Sequence, residues 1–202
     1  MRLRSIALLA SVVLAGTQAS SAGTDPQHAH EVIAPAASIP GESIYQLGLP
    51  LTRQDGTRMA LDELRGEPLL VTMFYTSCDG VCPLLAFAMR RVIAALPADE
   101  RSKLRAVMVS FDPERDSPKA LQEFAQLHDL DAPQWLLARA ADSDVRNLAA
   151  VLGIRYRQLP GGVYSHSAVI TLVDAQGIIR ANTTNLNALD PDFLRAVRAE
   201  LD

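Results

Sequence analysis

The chain has 202 residues, a hydrophobic fraction of 49% and a formal net charge of −4. That suffices for one domain with a sizeable core plus an N-terminal extension. The basic residues are scattered rather than gathered into a patch, which excludes nucleic acid as a partner.

The first residues have the character of an export signal. Arg2 and Arg4 open it, Ile6 to Gly16 is apolar, and small residues continue through Ala22. An apolar stretch of about 7–15 residues is signal-sized, whereas a spanning helix needs ~20. Residues 1–22 are therefore expected to be a signal peptide cleaved after Ala19 or Ala22, with an uncleaved inner-membrane anchor as the alternative. Thr17 follows the Val13-Leu14-Ala15-Gly16 run where a lipid-anchored chain carries cysteine. Export implies a periplasmic protein, in a compartment where disulfides persist. Residues 23–42, rich in Ala, Pro, Ser and Gly, read as a flexible tether, and its His28 and His30 as solvated side chains.

Residues 43–202 form the expected domain. Ile44 to Leu51 reads as a strand, closed by Asp55-Gly56 into a hairpin with Arg58 to Leu61. One helical turn at Asp62 to Gly66 precedes Leu69 to Tyr75, whose near-continuous apolar character predicts a buried parallel strand. Leu85, Ala88, Met89, Val92 and Leu96 recur at helical spacing, predicting a helix over Pro83 to Leu96 with Met89 in its core stripe. A strand over Leu104 to Phe111 follows, then a helix capped by Asp116-Ser117 with Pro118 at its first position. Trp135 to Ala138 reads as a strand and Asp142 to Leu152 as a helix stopped by Gly153. His128, near a helix end, fits the preference of helix C-termini for positive charge. Ile154 to Gln158, His166 to Val173 and Ile178 to Asn182 are further strands, the last two joined by a turn at Asp174 to Gly177. Asp190-Pro191 opens a closing helix through Leu201. With right-handed crossovers this order gives an α/β, thioredoxin-like fold: a mixed central sheet with helices on both faces.

The chemistry gathers where the buried strand runs into a helix, in VTMFYTSCDGVCPLL (71–85). Cys78 and Cys82 are the only cysteines in the sequence. The start of a helix offers unpaired N–H groups and the positive end of its dipole, which favour thiolate. Asp79 works against that, so an extremely acidic thiol is not expected. Residues four apart in a helix have Cα atoms about 6.2 Å apart, inside the disulfide window of about 4.4–6.8 Å. A static disulfide would close a loop too short to constrain the unfolded chain much. A reversible pair is the better reading, with Gly80 giving the loop freedom and Pro83 limiting it.

His166, in the loop that enters the late strand, is the natural third partner, because in this fold that segment packs against the cysteine turn. Two thiolates and an imidazole suit copper better than hard cations. Structural zinc wants four protein ligands. The expected metal set is therefore Cys78, Cys82 and His166, with the cysteines also a redox-active pair.

The segments FYTSCDGVCP (74–83), SFDPERDSP (110–118) and YSHSAVITLVDAQG (164–177) resemble the Sco/SenC family over roughly Ser43 to the C-terminus. The resemblance implies a thioredoxin-fold protein held at or near a membrane and facing the periplasm. It implies delivery of copper, Cu(I) or Cu(II), to the dinuclear copper site of cytochrome c oxidase subunit II, or reduction of that site's cysteines. It places the family's copper ligands on Cys78, Cys82 and His166. Asp112 and Asp116 match its acidic segment and serve either as turn and cap residues or in a direct role at the site or in docking. Asp79-Gly80 departs from the proline often found after the first cysteine. Other readings stay open: a thiol–disulfide oxidoreductase acting on a partner's cysteines, a carrier serving another periplasmic copper or thiol protein, or a redox or copper sensor.

Overall fold

The expected strand over 44–51 divides in two. In the computed structural model, which describes residues 39–130 and 133–202, Ser43 caps a 3-10 turn at Ile44–Leu47. Gly48 ends that turn in the left-handed region (φ 53°), which few other residues enter cheaply. Only then does β1 (Pro50–Arg53) begin. It pairs antiparallel with β2 (Arg58–Ala60) across the Asp55-Gly56 turn, and a second 3-10 turn follows at Leu61–Leu64.

β3 (Leu69–Phe74) is buried at every position. Because successive side chains point to opposite faces, both faces of the sheet must be covered there. α1 (Val81–Ala94) starts two residues earlier than its apolar stripe predicts, so that Cys82 lies inside its first turn. Pro83 is tolerated there because N–H groups in the first turn have no intrahelical partner anyway. The short α2 (Ala98–Arg101) leads to β4 (Arg105–Ser110), α3 (Pro118–Leu127) and β5 (Trp135–Arg139). Ser117 caps α3 through the Ala120 N–H. α4 (Asp142–Val151) follows, then β6 (Tyr156–Gln158), β7 (Tyr164–His166), β8 (Ile170–Val173), β9 (Ile179–Thr183) and α5 (Pro191–Ala199).

The described strands form a seven-stranded sheet in the order β2-β1-β5-β4-β3-β8-β9 and a separate ribbon of β6 and β7. β3, β4 and β5 are parallel, while β8 and β9 join antiparallel. This is the expected mixed α/β sheet of thioredoxin-like type. The expected strand from His166 to Val173 is broken, however. Ser167 turns away to bond with Arg155, its N–H donating to the carbonyl at 2.8 Å and its hydroxyl accepting from the Arg155 N–H at 2.9 Å. His166 therefore belongs to the ribbon, and Ile170 onward belongs to the sheet.

The register explains why these segments meet. β8 runs antiparallel to β3 with Val71 opposite Thr171, and the Thr72 hydroxyl donates to the Val169 carbonyl at 2.7 Å. The start of β8 therefore lies beside the end of β3. Phe74 stands opposite Ser110 in β4, so residues 111–116 also gather at that edge. Open α/β sheets bind ligands outside the carboxyl ends of their parallel strands.

Residues 1–38, to which the expected signal peptide, His28 and His30 belong, lie outside the described residues. Of residues 39–42, assigned by sequence to the tether, Ile39 packs against the core, and its carbonyl accepts from Gln46 at 2.8 Å. No helix among the described residues is long and apolar enough to cross a membrane.

Candidate metal centre

Cys78 sits in the turn after β3, its N–H donating to the Tyr75 carbonyl at 3.4 Å. Gly80 precedes α1 with φ −112° and ψ −98°, and Cys82 follows in the helix's first turn, fully buried. Both thiols are free. His166 ends the ribbon strand opposite Tyr156, with its ring turned inward. The structure brings all three residues together: the two Sγ atoms and the imidazole nitrogen lie within 4.8 Å of one another. Among the described residues they are the group of donors that could hold a metal ion.

The imidazole tautomer follows from its neighbours. Nδ1 lies 3.2 Å from the Ser167 carbonyl, which can only accept, so that nitrogen carries the proton. Nε2 keeps its lone pair and lies 3.6 Å from Cys82 Sγ. Such an outer hydrogen bond is the usual means of orienting a ligating histidine. Burial lowers the His166 pKa, partly offset by the Ser167 carbonyl, so the ring favours the neutral form that can ligate.

The thiols are split. Burial opposes ionisation of Cys78, but hydrogen bonds from the Cys82 backbone and thiol, the Gly80 N–H and the Tyr75 hydroxyl outweigh it and lower its pKa. Burial pushes the Cys82 thiol strongly up, reinforced by interaction with Cys78 and by Asp116. The helix start alone would favour both thiolates. Depth separates them, since Cys82 is sealed into the core and Cys78 is at its edge.

An aromatic wall backs the histidine, and sequence reasoning missed it. Phe111 packs against His166 at 4.8 Å between ring centres, stacks on Tyr156 at 5.2 Å and meets Tyr164 at 5.1 Å. Tyr75 lies 5.3 Å from both Phe111 and Tyr164. Four of the chain's ten aromatic residues thus stand around one imidazole. The available signal was an aromatic residue beside the key positions in each of the three motif segments.

Asp112 and Asp116 are not donors of the group. Both are buried, and their oxygens are taken by hydrogen bonds from Ser110, Thr76, Arg115 and Tyr164. Met89 is fully buried in the core, as its place in the helical stripe requires. His128 follows α3 and packs on Phe124 at 4.3 Å. Burial and then Arg90 lower its pKa, against the expectation that the helix end would favour its charged form.

Fold and site together define a thioredoxin-like protein with a buried dithiol and a facing neutral imidazole. The SCO1/SenC family profile matches residues 44–200, and the chain belongs to that family. It is 33% identical over 97 residues to the SCO1 protein homolog of Bacillus subtilis, covering 48% of this chain and 50% of that protein. The chain spans about half to three quarters of the length of the curated relatives it matches. Among solved structures it is similar to Bradyrhizobium japonicum ScoI with copper bound (24% identity, TM-score 0.64, 75% of this chain and 96% of that one). It is also similar to BsSco, a member of the Sco family of cytochrome c oxidase assembly proteins in which a disulfide switch was identified (25% identity, TM-score 0.65, 75% and 90%).

Proposed function

We propose that this protein is a copper carrier of the exported compartment, holding copper as cargo on Cys78, Cys82 and His166. Its recipient is the dinuclear copper site of cytochrome c oxidase subunit II, or another periplasmic copper or thiol protein. The observation that carries the reading is the donor set itself: two sulfurs and one deprotonated imidazole nitrogen within 4.8 Å. Sulfur and imidazole select copper over hard cations, and both Cu(I) and Cu(II) suit this mixture. Three protein donors leave a face for an incoming ligand, as a protein that hands its metal on requires. The copper-bound ScoI relative and the oxidase-assembly role of BsSco support cargo and recipient. Residues 1–22 then serve as the export signal and 23–38 as the tether; N-terminal sequencing of the mature protein checks this.

Reduced protein titrated with copper under anaerobic conditions is expected to bind about one equivalent with sulfur-to-copper charge-transfer absorption. His166→Ala is expected to weaken Cu(II) far more than Cu(I), because two thiolates satisfy Cu(I) alone. Unchanged Cu(II) binding in that variant sinks the three-donor reading.

The split thiol acidity favours a second activity on the same residues. The Cys78 thiolate would attack a partner disulfide, forming a mixed disulfide and releasing one partner sulfur. Cys82, giving up its proton, would then attack Cys78, closing the Cys78–Cys82 disulfide and releasing the second partner sulfur. The partner gains two electrons from this protein and two protons, one from Cys82 and one from solvent, to which Cys78 gave its own on ionising. If Cys78→Ser abolishes reductase turnover while His166→Ala leaves copper binding untouched, this reading replaces the first.

A further inference from the structure

The two segments that bear the donors are joined through one short turn, residues 112–116. At one end, Asp116 is fully buried. It accepts from the Thr76 N–H at 3.1 Å, the Thr76 hydroxyl at 2.5 Å and the Ser110 hydroxyl at 2.5 Å. Thr76 lies two residues before Cys78, so this carboxylate fixes the exit of β3 into the cysteine turn. At the other end, Asp112, 3% exposed, accepts from Arg115 Nε and from the Tyr164 hydroxyl at 3.4 Å. The same guanidinium donates to the Gly162 carbonyl, 47 residues away in sequence. Gly162 and Tyr164 belong to the hairpin that carries His166.

Sequence and geometry agree at that contact. Gly162 has φ +79°, and a Cβ there would lie 2.5 Å from Arg115 Nη1. Glycine adopts the left-handed backbone at no steric cost and lets the arginine seat against it. The planar fork of arginine can serve a carboxylate and a carbonyl at once, which a lysine ammonium does less well. The hairpin needs such an anchor, because a two-stranded ribbon alone is only marginally stable in water.

We propose that the Asp112–Asp116 turn positions the metal centre: Asp116 sets the cysteine segment, and Asp112 with Arg115 holds the histidine hairpin closed over it. The inference rests on the three-donor reading for its consequence in copper binding. Its structural claim is tested without metal. Asp112, Arg115 and Asp116 are positioning residues that act through Thr76 and the hairpin.

The experiment compares wild type, Arg115→Ala, Gly162→Ala and Arg115→Lys, with Arg195→Ala on α5 as a control for an exposed arginine away from the hairpin. Metal-free protein is followed by amide hydrogen exchange and by histidine-ring nitrogen NMR. In Arg115→Ala, hairpin amides such as Leu159 and Gly162 should exchange faster while β3 is unchanged, and the fixed Nδ1–H tautomer of His166 should average. Gly162→Ala should reproduce this by displacing the arginine, Arg115→Lys should recover only part, and Arg195→Ala should match wild type. With copper, Arg115→Ala should lose about 10–100-fold in Cu(II) affinity, the usual range for outer-sphere residues. It should also lose imidazole nitrogen couplings, with Cu(I) affinity nearly kept. The proposal is overturned if hairpin exchange and the His166 spectrum stay as in wild type in both Arg115→Ala and Gly162→Ala. It is equally overturned if β3 loosens as much as the hairpin, which would mark general destabilisation. If wild type takes no copper, the carrier reading fails, while the metal-free comparison still decides the positioning role.

Discussion

The cysteine segment and the histidine hairpin supply the same centre and are held by different means. Cys78 and Cys82 extend from β3, buried at every position, into α1, so the packing that folds the domain also places the sulfurs. His166 stands on the β6–β7 ribbon outside the main sheet, and side chains hold it there: Phe111 and the tyrosines around it, and the Arg115 contact. The difference teaches that the thiol half is rigid by default and the imidazole half is conditional. A carrier gains from that division, since a donor that can leave lowers the barrier to releasing cargo.

The largest expected effect breaks the rigid half. Cys82→Ala should abolish stoichiometric copper uptake while the domain still unfolds cooperatively, because alanine keeps the helix and removes only one buried sulfur. Anaerobic copper titration alongside urea unfolding checks both parts. Retained uptake would mean that the buried cysteine is core filler.

Next in size is the wall between the halves. Phe111, 2% exposed, touches the histidine, Tyr156, Tyr164 and Tyr75. Truncating a buried phenylalanine to alanine typically costs about 3–5 kcal/mol, with part of it from lost ring–ring contacts. Phe111→Ala should lower urea stability by that order and accelerate hairpin amide exchange more than that of β3. Equal acceleration in both regions would remove the distinction between a core-built half and a side-chain-built half.

The rigid half was also the legible one. A buried apolar strand, a cysteine turn and a 3.6-period helix are local patterns, and each appears in the structure within a few residues of its expected bounds. The start of α1 was displaced because Val81 and Cys82 precede the stripe that marks the helix. The strand expected at 44–51 failed because Leu47, Leu49 and Leu51 alternate as a strand does, while Ser43 and Gly48 cap a tight turn that alternation cannot reveal. The break after His166 depends on Ser167 bonding back to Arg155, and the Arg115–Gly162 contact spans 47 residues. Neither leaves a periodic trace, so the means of holding the imidazole could be seen only in three dimensions.

The smallest effect concerns protons and sharpens the comparison most. Burial lowers the His166 pKa below its ordinary 6.5, so on acidification the unfolded chain takes up a proton before the folded one. Stability therefore rises with pH across that window. The contribution of the neutral ring is fully present above about pH 6.5 and is lost as pH falls through the folded pKa. His128 acts in the same sense, through burial and then Arg90, but from the end of α3. Cys78 adds a like-signed term below its ordinary 9.0, which a Cys78→Ala background removes. Cys82 stays protonated throughout this range. Asp116 opposes the trend at the acid end: burial raises its pKa above the ordinary 3.8, so its contribution is present below that value and lost as pH rises through the folded one. Metal-free protein should thus lose urea stability as pH falls below about 6.5. His166→Gln should flatten most of that slope and His128→Gln a smaller share. A slope untouched by His166→Gln would mean that the ring is already solvated, with the hairpin standing open before any metal arrives.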